Sequence, residues 1–212
     1  VQTVEALAAS GAVMLSEADQ QRLGESLWTG GKLNQNLIAK KAYQIADLCG
    51  LETAGLASAR VLLVESSGVG RDHPFSGEKL SPVLTLYRVR DFEHAMELAT
   101  RIMDYQGKGH SISIHTSSED RPLRLGLNLP ICRVIVNQIH CYATGGSFDN
   151  GLPFSLSMGC GTWGNNSISD NLNYKHYLNT TRIVREIPLD RPSLDEIFGE
   201  FWRAHDIEPV AG

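Results

Sequence analysis

The residue pattern predicts an α/β fold of three layers, a mostly parallel sheet with helices on both faces. Three observations carry this reading. Short apolar runs at residues 61–65, 83–88 and 131–137 alternate with stretches of 3.6-residue periodicity. A strand, helix, strand, helix, strand order implies right-handed crossovers between parallel strands. The chain has 212 residues, 42% of them hydrophobic and 20% charged, enough for a real core in one or two domains.

Each element has a local cause. Residues 4–9 read as the tail of a helix closed by Gly11. Ser16 ahead of Glu17, Ala18 and Asp19 is an N-cap with acids in the first turn, opening a short helix towards Leu27. Residues 36–49 put Ile38, Ala42, Ile45 and Cys49 on one helical face, and Gly50 provides the stop. Asp91 caps a helix whose inward stripe is Phe92, Ala95, Met96, Ala99, Ile102 and Met103, ended by Gly107-Lys108-Gly109. A strand over 111–115, a helix over 120–128 despite Pro122 and Gly126, and the strand over 131–137 follow. Residues 138–173 are mainly Gly, Ser, Asn and aromatics, too long for a simple connection and therefore a site-lining region. Residues 177–187 alternate as a strand does, closed by Pro188. Ser193-Leu194-Asp195-Glu196 is a capping box before a helix carrying Ile197, Phe198, Phe201 and Trp202.

Composition excludes several functions. A net charge of −5 without a Lys/Arg cluster argues against a nucleic-acid partner, which needs a basic footprint to displace counterions. The longest aliphatic run, Val61-Leu62-Leu63-Val64, is far short of the ~20 residues of a membrane span. Cys49, Cys132, Cys141 and Cys160 contain no Cys-x-x-Cys pair, so neither a disulfide framework nor a metal site is expected, and a reducing, cytoplasmic setting fits. Cys141, beside His140, is the one expected to be exposed; Cys49 and Cys132 read as small core residues, and Cys160 lies in a glycine turn. The chain opens at Val1, without a Met, inside a helical pattern, which suits a portion of a longer protein.

The most informative stretch is 74–90. Gly77 and Pro82 bracket a turn, and Val83, Leu84 and Leu86 start a strand, so Glu78 stands at a strand mouth. A carboxylate there can accept two hydrogen bonds from a vicinal diol such as a nucleotide ribose, or it can be a solvated loop acid. Gly159-Cys160-Gly161-Thr162-Trp163-Gly164 satisfies the G-x-G-x-x-G pattern, yet no strong strand precedes it and no helix follows. Its glycines therefore read as close-packing residues rather than a phosphate loop.

The run Glu78-Lys79-Leu80-Ser81-Pro82-Val83-Leu84 resembles the cofactor-contacting segment of aldehyde dehydrogenases, where a Glu, an apolar residue two on and a Pro two further precede a strand. Gly31-Lys32-Leu33-Asn34, Val134-Ile135-Val136-Asn137, and the run 159–169 followed by Lys175-His176 resemble the CoA-acylating branch. That branch includes sulfoacetaldehyde, succinate-semialdehyde and acetaldehyde dehydrogenases and the aldehyde half of bifunctional aldehyde-alcohol dehydrogenases. The segments occur in the family's order, and the resemblance covers about residues 4–187.

The resemblance implies a fold of the aldehyde dehydrogenase catalytic-domain type, with residues 1–177 as a catalytic-domain portion. It makes 178–188 an oligomerisation strand paired in a homodimer, and 189–212 a carboxyl-terminal helix and tail. The nucleophilic Cys and the nucleotide-binding domain would lie upstream, so no catalytic residue is expected in this chain and it should be inactive alone. The implied cofactor is NAD or NADP, with CoA as co-substrate. The implied chemistry is attack of the Cys thiolate on a short aldehyde, oxidation of the hemithioacetal, and transfer of the thioacyl group to CoA. Glu78 would position the nicotinamide ribose and Leu80 would pack beside the nicotinamide half. Asn137, His140 and Phe154 would line the substrate, with Gln138, Tyr142, Thr144 and Ser147 as polar contents suited to an anionic aldehyde. Glu78 and the 137–154 lining are expected at one rim of a parallel-stranded layer. Two alternatives stay open: a non-catalytic binding or assembly module on the same fold, and a non-acylating aldehyde dehydrogenase.

Overall fold

The computed structural model describes residues 2–208, which divide along the chain into two compact units, one ending at His176 and the other starting at Tyr177. The first unit begins with helix α1 (Gln2–Ala9) and strand β1 (Ala12–Met14). Helix α2 (Glu17–Leu27) follows, capped by the Ser16 hydroxyl, which accepts from the Asp19 N–H at 3.2 Å. Its buried side chains are Asp19, Leu23 and Leu27. The Asp19 carboxylate accepts from Thr53 Oγ1 at 2.5 Å, from the Thr53 N–H at 2.7 Å and from the Glu52 N–H at 3.0 Å. Strands β2 (Trp28–Thr29) and β3 (Lys32–Leu33) form a small antiparallel pair.

Helix α3 (Ala42–Leu48) is shorter than the periodicity predicts. Ala39 has φ 56°, in the left-handed region, and gives its N–H to Leu80 O at 3.0 Å. A helix cannot run through that conformation, so it starts only after Lys41, the N-cap. Within it, the predicted Ala42 and Ile45 are buried, as is Ala46, and Cys49 packs partly buried against the same core.

Strand β4 (Val61–Glu65) has the expected limits, and β5 (Val83–Leu86) ends two residues short of them. Helix α4 (Phe92–Tyr105) is capped by Asp91, whose Oδ1 accepts from the His94 N–H at 2.8 Å. Strand β6 (Ile112–Ile114), helix α5 (Asp120–Asn128) and strand β7 (Val134–Val136) follow, then the four-residue helix α6 (His140–Ala143).

Pairing is parallel wherever strands are joined by crossovers, in the order β1-β4-β5 and, separately, β6-β7. The single sheet of the sequence reading is thus divided, because β5 and β6 form no ladder. Each parallel sheet has its own core. Leu62 and Val64 of β4 join Leu23, Leu27 and Ile45 in one cluster. Leu125, Leu129 and Ile131 form the other, packed by Phe92, Met96, Ala99 and Met103 from the predicted stripe of α4 and by Ile112 and Ile114 of β6. Burial of each Leu or Ile stabilises by about 1.5–3 kcal/mol.

The second unit contains helix α7 (Leu194–Ala204), with its capping box formed: Ser193 Oγ accepts from the Glu196 N–H at 3.2 Å, and Glu196 Oε2 accepts from the Ser193 N–H at 2.7 Å. The strand expected over 177–187 is not formed. Residues 178–193 are neither helix nor strand, and Ile183, Val184 and Ile187 are each more than three-quarters exposed. Alternation alone does not make a strand; its N–H and C=O groups need an edge to pair with. Among the described residues no helix is long and apolar enough to cross a membrane.

Candidate functional site

Glu78 is exposed, yet the backbone around it is held on several sides. The 3₁₀ turn Pro74–Ser76 sets the loop, and Phe75 stacks edge-on against Trp28 with centroids 5.2 Å apart. Phe75 O accepts from Thr85 Oγ1 at 2.6 Å, tying the turn to β5. The Glu78 N–H donates to Gln106 Oε1, at 2.8 Å, at the end of α4. A side chain at Gly77 would meet that same amide oxygen at 2.7 Å and push the Gln106 side chain off its bond to Glu78. The Lys79 ammonium turns inward and donates to Phe75 O at 2.8 Å and Gly77 O at 2.7 Å. Burial pulls its pKa down to about 8, opposed by the neighbouring Glu78 charge.

Leu80 has φ 46°, in the left-handed region, and is 50% exposed. A leucine held in that conformation stores strain, which persists only where neighbours over-determine it. Beside it the Ser81 hydroxyl is buried without a hydrogen-bond partner among the described residues. The loop therefore presents a carboxylate that accepts no hydrogen bond among the described residues, next to an exposed apolar side chain. That pair can receive a ribose diol and an aromatic ring.

The second cluster is built on β6. Ile112 and Ile114 face the core, so the alternating Ser111 and Ser113 face the other way, where His140 of α6 lies over them. Ser111 Oγ is 2.8 Å from His140 Nε2 and 2.7 Å from His110 Nδ1, and His140 Nδ1 is 3.1 Å from Ser113 Oγ. His110 is exposed and His140 half-buried. Burial, and then the proximity of His110, push the His140 pKa below its ordinary value.

Asn137 sits at the carboxyl end of β7 with φ 54°, clamping Thr116 on both sides: its Oδ1 accepts from the Thr116 N–H at 2.8 Å and its Nδ2 donates to Thr116 O at 2.9 Å. Phe154 is exposed and meets Phe148 edge-on at 5.0 Å. Beneath this region lies buried Arg133, which donates to Asn171 Oδ1 at 2.9 Å, Gly159 O at 2.9 Å and Ser169 O at 3.1 Å. Asn171 in turn donates to Thr144 O at 2.9 Å and Pro153 O at 2.8 Å. These two side chains fasten the glycine turn, the end of α6 and the segment leading to Phe154.

The structure brings together some of the expected site and not the rest. Glu78 meets the end of α4 through Gln106, four residues before His110, and His140 reaches back to Ser111. Asn137 lies at the opposite end of the β6-β7 ladder, and no hydrogen bond links Glu78 with Asn137, His140 or Phe154 among the described residues. The single parallel layer expected to carry both groups is therefore corrected. Glu78 precedes β5, Asn137 follows β7, and these strands belong to different sheets. Thr144 is buried, its hydroxyl donating to His140 O at 3.0 Å, so it does not line a cavity. Gly161 has φ 59°, Thr162–Gly164 is a 3₁₀ turn, and Gly109 packs against the Cys160 carbonyl, the close approach that glycines permit.

His110, Ser111, Ser113 and Arg133 escaped the sequence reading. A period-two signal was present in His110-Ser111-Ile112-Ser113-Ile114, where hydroxyls and isoleucines take opposite faces. For Arg133 the signal was a lone cation inside an apolar run.

No protein-family model matches the chain. It is 51% identical, over 94% of its length, to sulfoacetaldehyde dehydrogenase (acylating) of Cupriavidus necator, covering 40% of that protein. It is 37% identical, over 86% of its length, to succinate-semialdehyde dehydrogenase (acetylating) of Clostridium kluyveri, again covering 40%. In backbone it is similar to the crystal structure of an acetylating aldehyde dehydrogenase from Geobacillus thermoglucosidasius, with TM-score 0.79, 33% identity, and coverage of 89% of this chain and 42% of that one. The chain spans about two fifths of the length of the curated relatives it matches. By sequence and by backbone alike, it is a homologue of part of the acylating aldehyde dehydrogenases.

Proposed function

We propose that the chain is the portion of an NAD(P)-dependent, CoA-acylating aldehyde dehydrogenase that receives the nicotinamide ribose and lines the aldehyde site, with a short anionic aldehyde of the sulfoacetaldehyde type as substrate. The observation that carries this reading is the 51% identity, over 94% of the chain, to an acylating sulfoacetaldehyde dehydrogenase. The geometry supports it. Glu78 offers a free carboxylate on a tethered backbone, able to accept from a ribose diol, and Leu80 an exposed apolar face on a strained turn, suited to a flat ring. The nicotinamide cofactor would accept the reducing equivalent when bound, and Glu78 and Leu80 would hold it in register.

In this reading the nucleophilic Cys is supplied by sequence outside this chain and CoA takes the acyl group from it. Asn137, His140 and Phe154 contribute to the substrate lining, with Arg133 and Asn171 fixing the backbone beneath them. Residues 178–188 would complete a neighbouring subunit's sheet in a homodimer, which suits a segment whose apolar side chains are exposed. The test is reduction of NAD(P) by the complete protein carrying this chain, with sulfoacetaldehyde, succinate semialdehyde and acetaldehyde, each with and without CoA. CoA-dependent turnover fastest with sulfoacetaldehyde is expected. Turnover indifferent to CoA would favour a non-acylating dehydrogenase, and none with any aldehyde would favour a binding module.

A further inference from the structure

The Ser111 hydroxyl has one proton and stands between two ring nitrogens, His110 Nδ1 at 2.7 Å and His140 Nε2 at 2.8 Å. A hydroxyl so placed donates to one ring and accepts from the other. The two nitrogens facing it are therefore complementary: one carries a proton when the other does not. The far nitrogen of His140 is 3.1 Å from Ser113 Oγ, so the chain of groups has two self-consistent arrangements. In one, His140 Nδ1–H donates to Ser113, Ser111 donates to His140 Nε2, and His110 Nδ1–H donates to Ser111, which leaves His110 Nε2 a bare acceptor. In the other every bond is reversed and His110 Nε2 carries the proton. Among the described residues His110 Nε2 meets no hydrogen-bond partner, and the ring is exposed, so this nitrogen is the end of the chain that a ligand can reach.

We propose that His140 is a positioning residue: through the Ser111 hydroxyl it selects which nitrogen of His110 is protonated, and so whether the exposed ring meets the substrate as acceptor or as donor. The proposal rests on the dehydrogenase reading for the identity of that substrate, but not for the hydrogen bonds. Several features suit His140 to the task. It is carried on α6 over the serine face of β6, and Thr144 Oγ1 and the Asn171 amide hold the end of that helix through His140 O and Thr144 O. Its half-burial favours the neutral ring, the form with one donor and one acceptor that the scheme requires. Arg133 Nη1 donates to His110 O at 3.4 Å, away from the ring nitrogens, and Lys108, two residues away, pairs with Asp104 at 2.6 Å.

The test is long-range proton–nitrogen NMR of the complete protein labelled with nitrogen-15 histidine, beside steady-state kinetics. In the wild type, His110 Nδ1 and His140 Nε2 should show opposite protonation. His140→Leu and Ser111→Ala should each return His110 to the mixture of tautomers of a free imidazole, with no further change in the double variant. Turnover with the preferred aldehyde should fall about tenfold in kcat while KM stays within about twofold, the signature of lost orientation rather than lost binding. Should His140→Leu not fold, His140→Gln, whose amide can still bond Ser111, should leave the His110 tautomer balance closer to the wild type than Ser111→Ala does. Protonated fractions of the two nitrogens that do not sum to one in the wild type, or an unchanged His110 in the variants, overturn the coupling. A changed tautomer with unchanged kcat overturns the positioning role. A wild type that turns over no aldehyde removes the dehydrogenase reading, and the NMR comparison still decides whether the coupling exists.

Discussion

Gln106 holds Glu78 by its backbone and not by its charge: the amide oxygen at the end of α4 accepts the Glu78 N–H at 2.8 Å and leaves the carboxylate free. Position and chemistry can thus be separated by mutation. Gln106→Ala removes the tether and keeps the acid. Loss of one such bond should lower stability by about 1 kcal/mol, read as a drop in melting temperature. The KM for NAD(P) should rise while that for the aldehyde stays put.

Glu78→Gln removes the charge and keeps the tether. A hydride acceptor misplaced by about 1 Å can slow reaction by roughly a hundredfold, so single-turnover NAD(P) reduction should slow far more than aldehyde affinity weakens. An unchanged single-turnover rate beside a weaker aldehyde affinity would contradict the ribose role.

Asp19→Ala should be the most damaging change in α2. The carboxylate is buried; burial by itself raises its pKa, but the hydrogen bonds from Thr53 and Glu52, with Arg22 nearby, outweigh that and hold it below the usual 3.8. Truncation removes the acceptor of the Glu52 and Thr53 N–H groups and of the Thr53 hydroxyl and should cost about 2 kcal/mol, visible by urea denaturation. The wild type should keep this contribution above pH 3.8 and lose it as the pH falls through the lower folded value, where the Ala variant shows no matching slope.

Lys79 gives a slope of the same sign in an alkaline window. Its folded pKa of about 8 lies below the ordinary 10.5, so between those values the unfolded chain binds the additional proton. Stability should therefore rise with pH across that window. Lys79→Met should flatten the slope in melts between pH 8 and 10.5, and an identical slope in both proteins would refute the assignment.

Much of this architecture could be read from local chemistry. Ser16, Asp91 and Ser193 cap their helices because each places a side-chain oxygen before free N–H groups, a relationship within three residues of sequence. The residues of β4 could be named because an unbroken Val-Leu-Leu-Val run has little choice but to be buried. What stayed hidden depends on distant partners. Periodicity runs through Ala39, but the hydrogen bond to Leu80 that accompanies its left-handed turn comes from 41 residues away. Glu78 was legible from its glycine and proline brackets, whereas His110 and Ser111 acquire significance only when α6 brings His140 over β6. The division into two parallel sheets was invisible for the same reason, since pairing is decided between strands and not within them.

The bare greasy flank from Ile183 to Leu189, together with the uncovered Phe198 and Phe201 of α7, has a practical corollary for anyone preparing this polypeptide. Concentrated without a mate, such a tail glues to whatever it touches, other tails first. Light scattering will register that stickiness long before any spectrophotometer registers NADH, and trimming after His176 is the remedy to try.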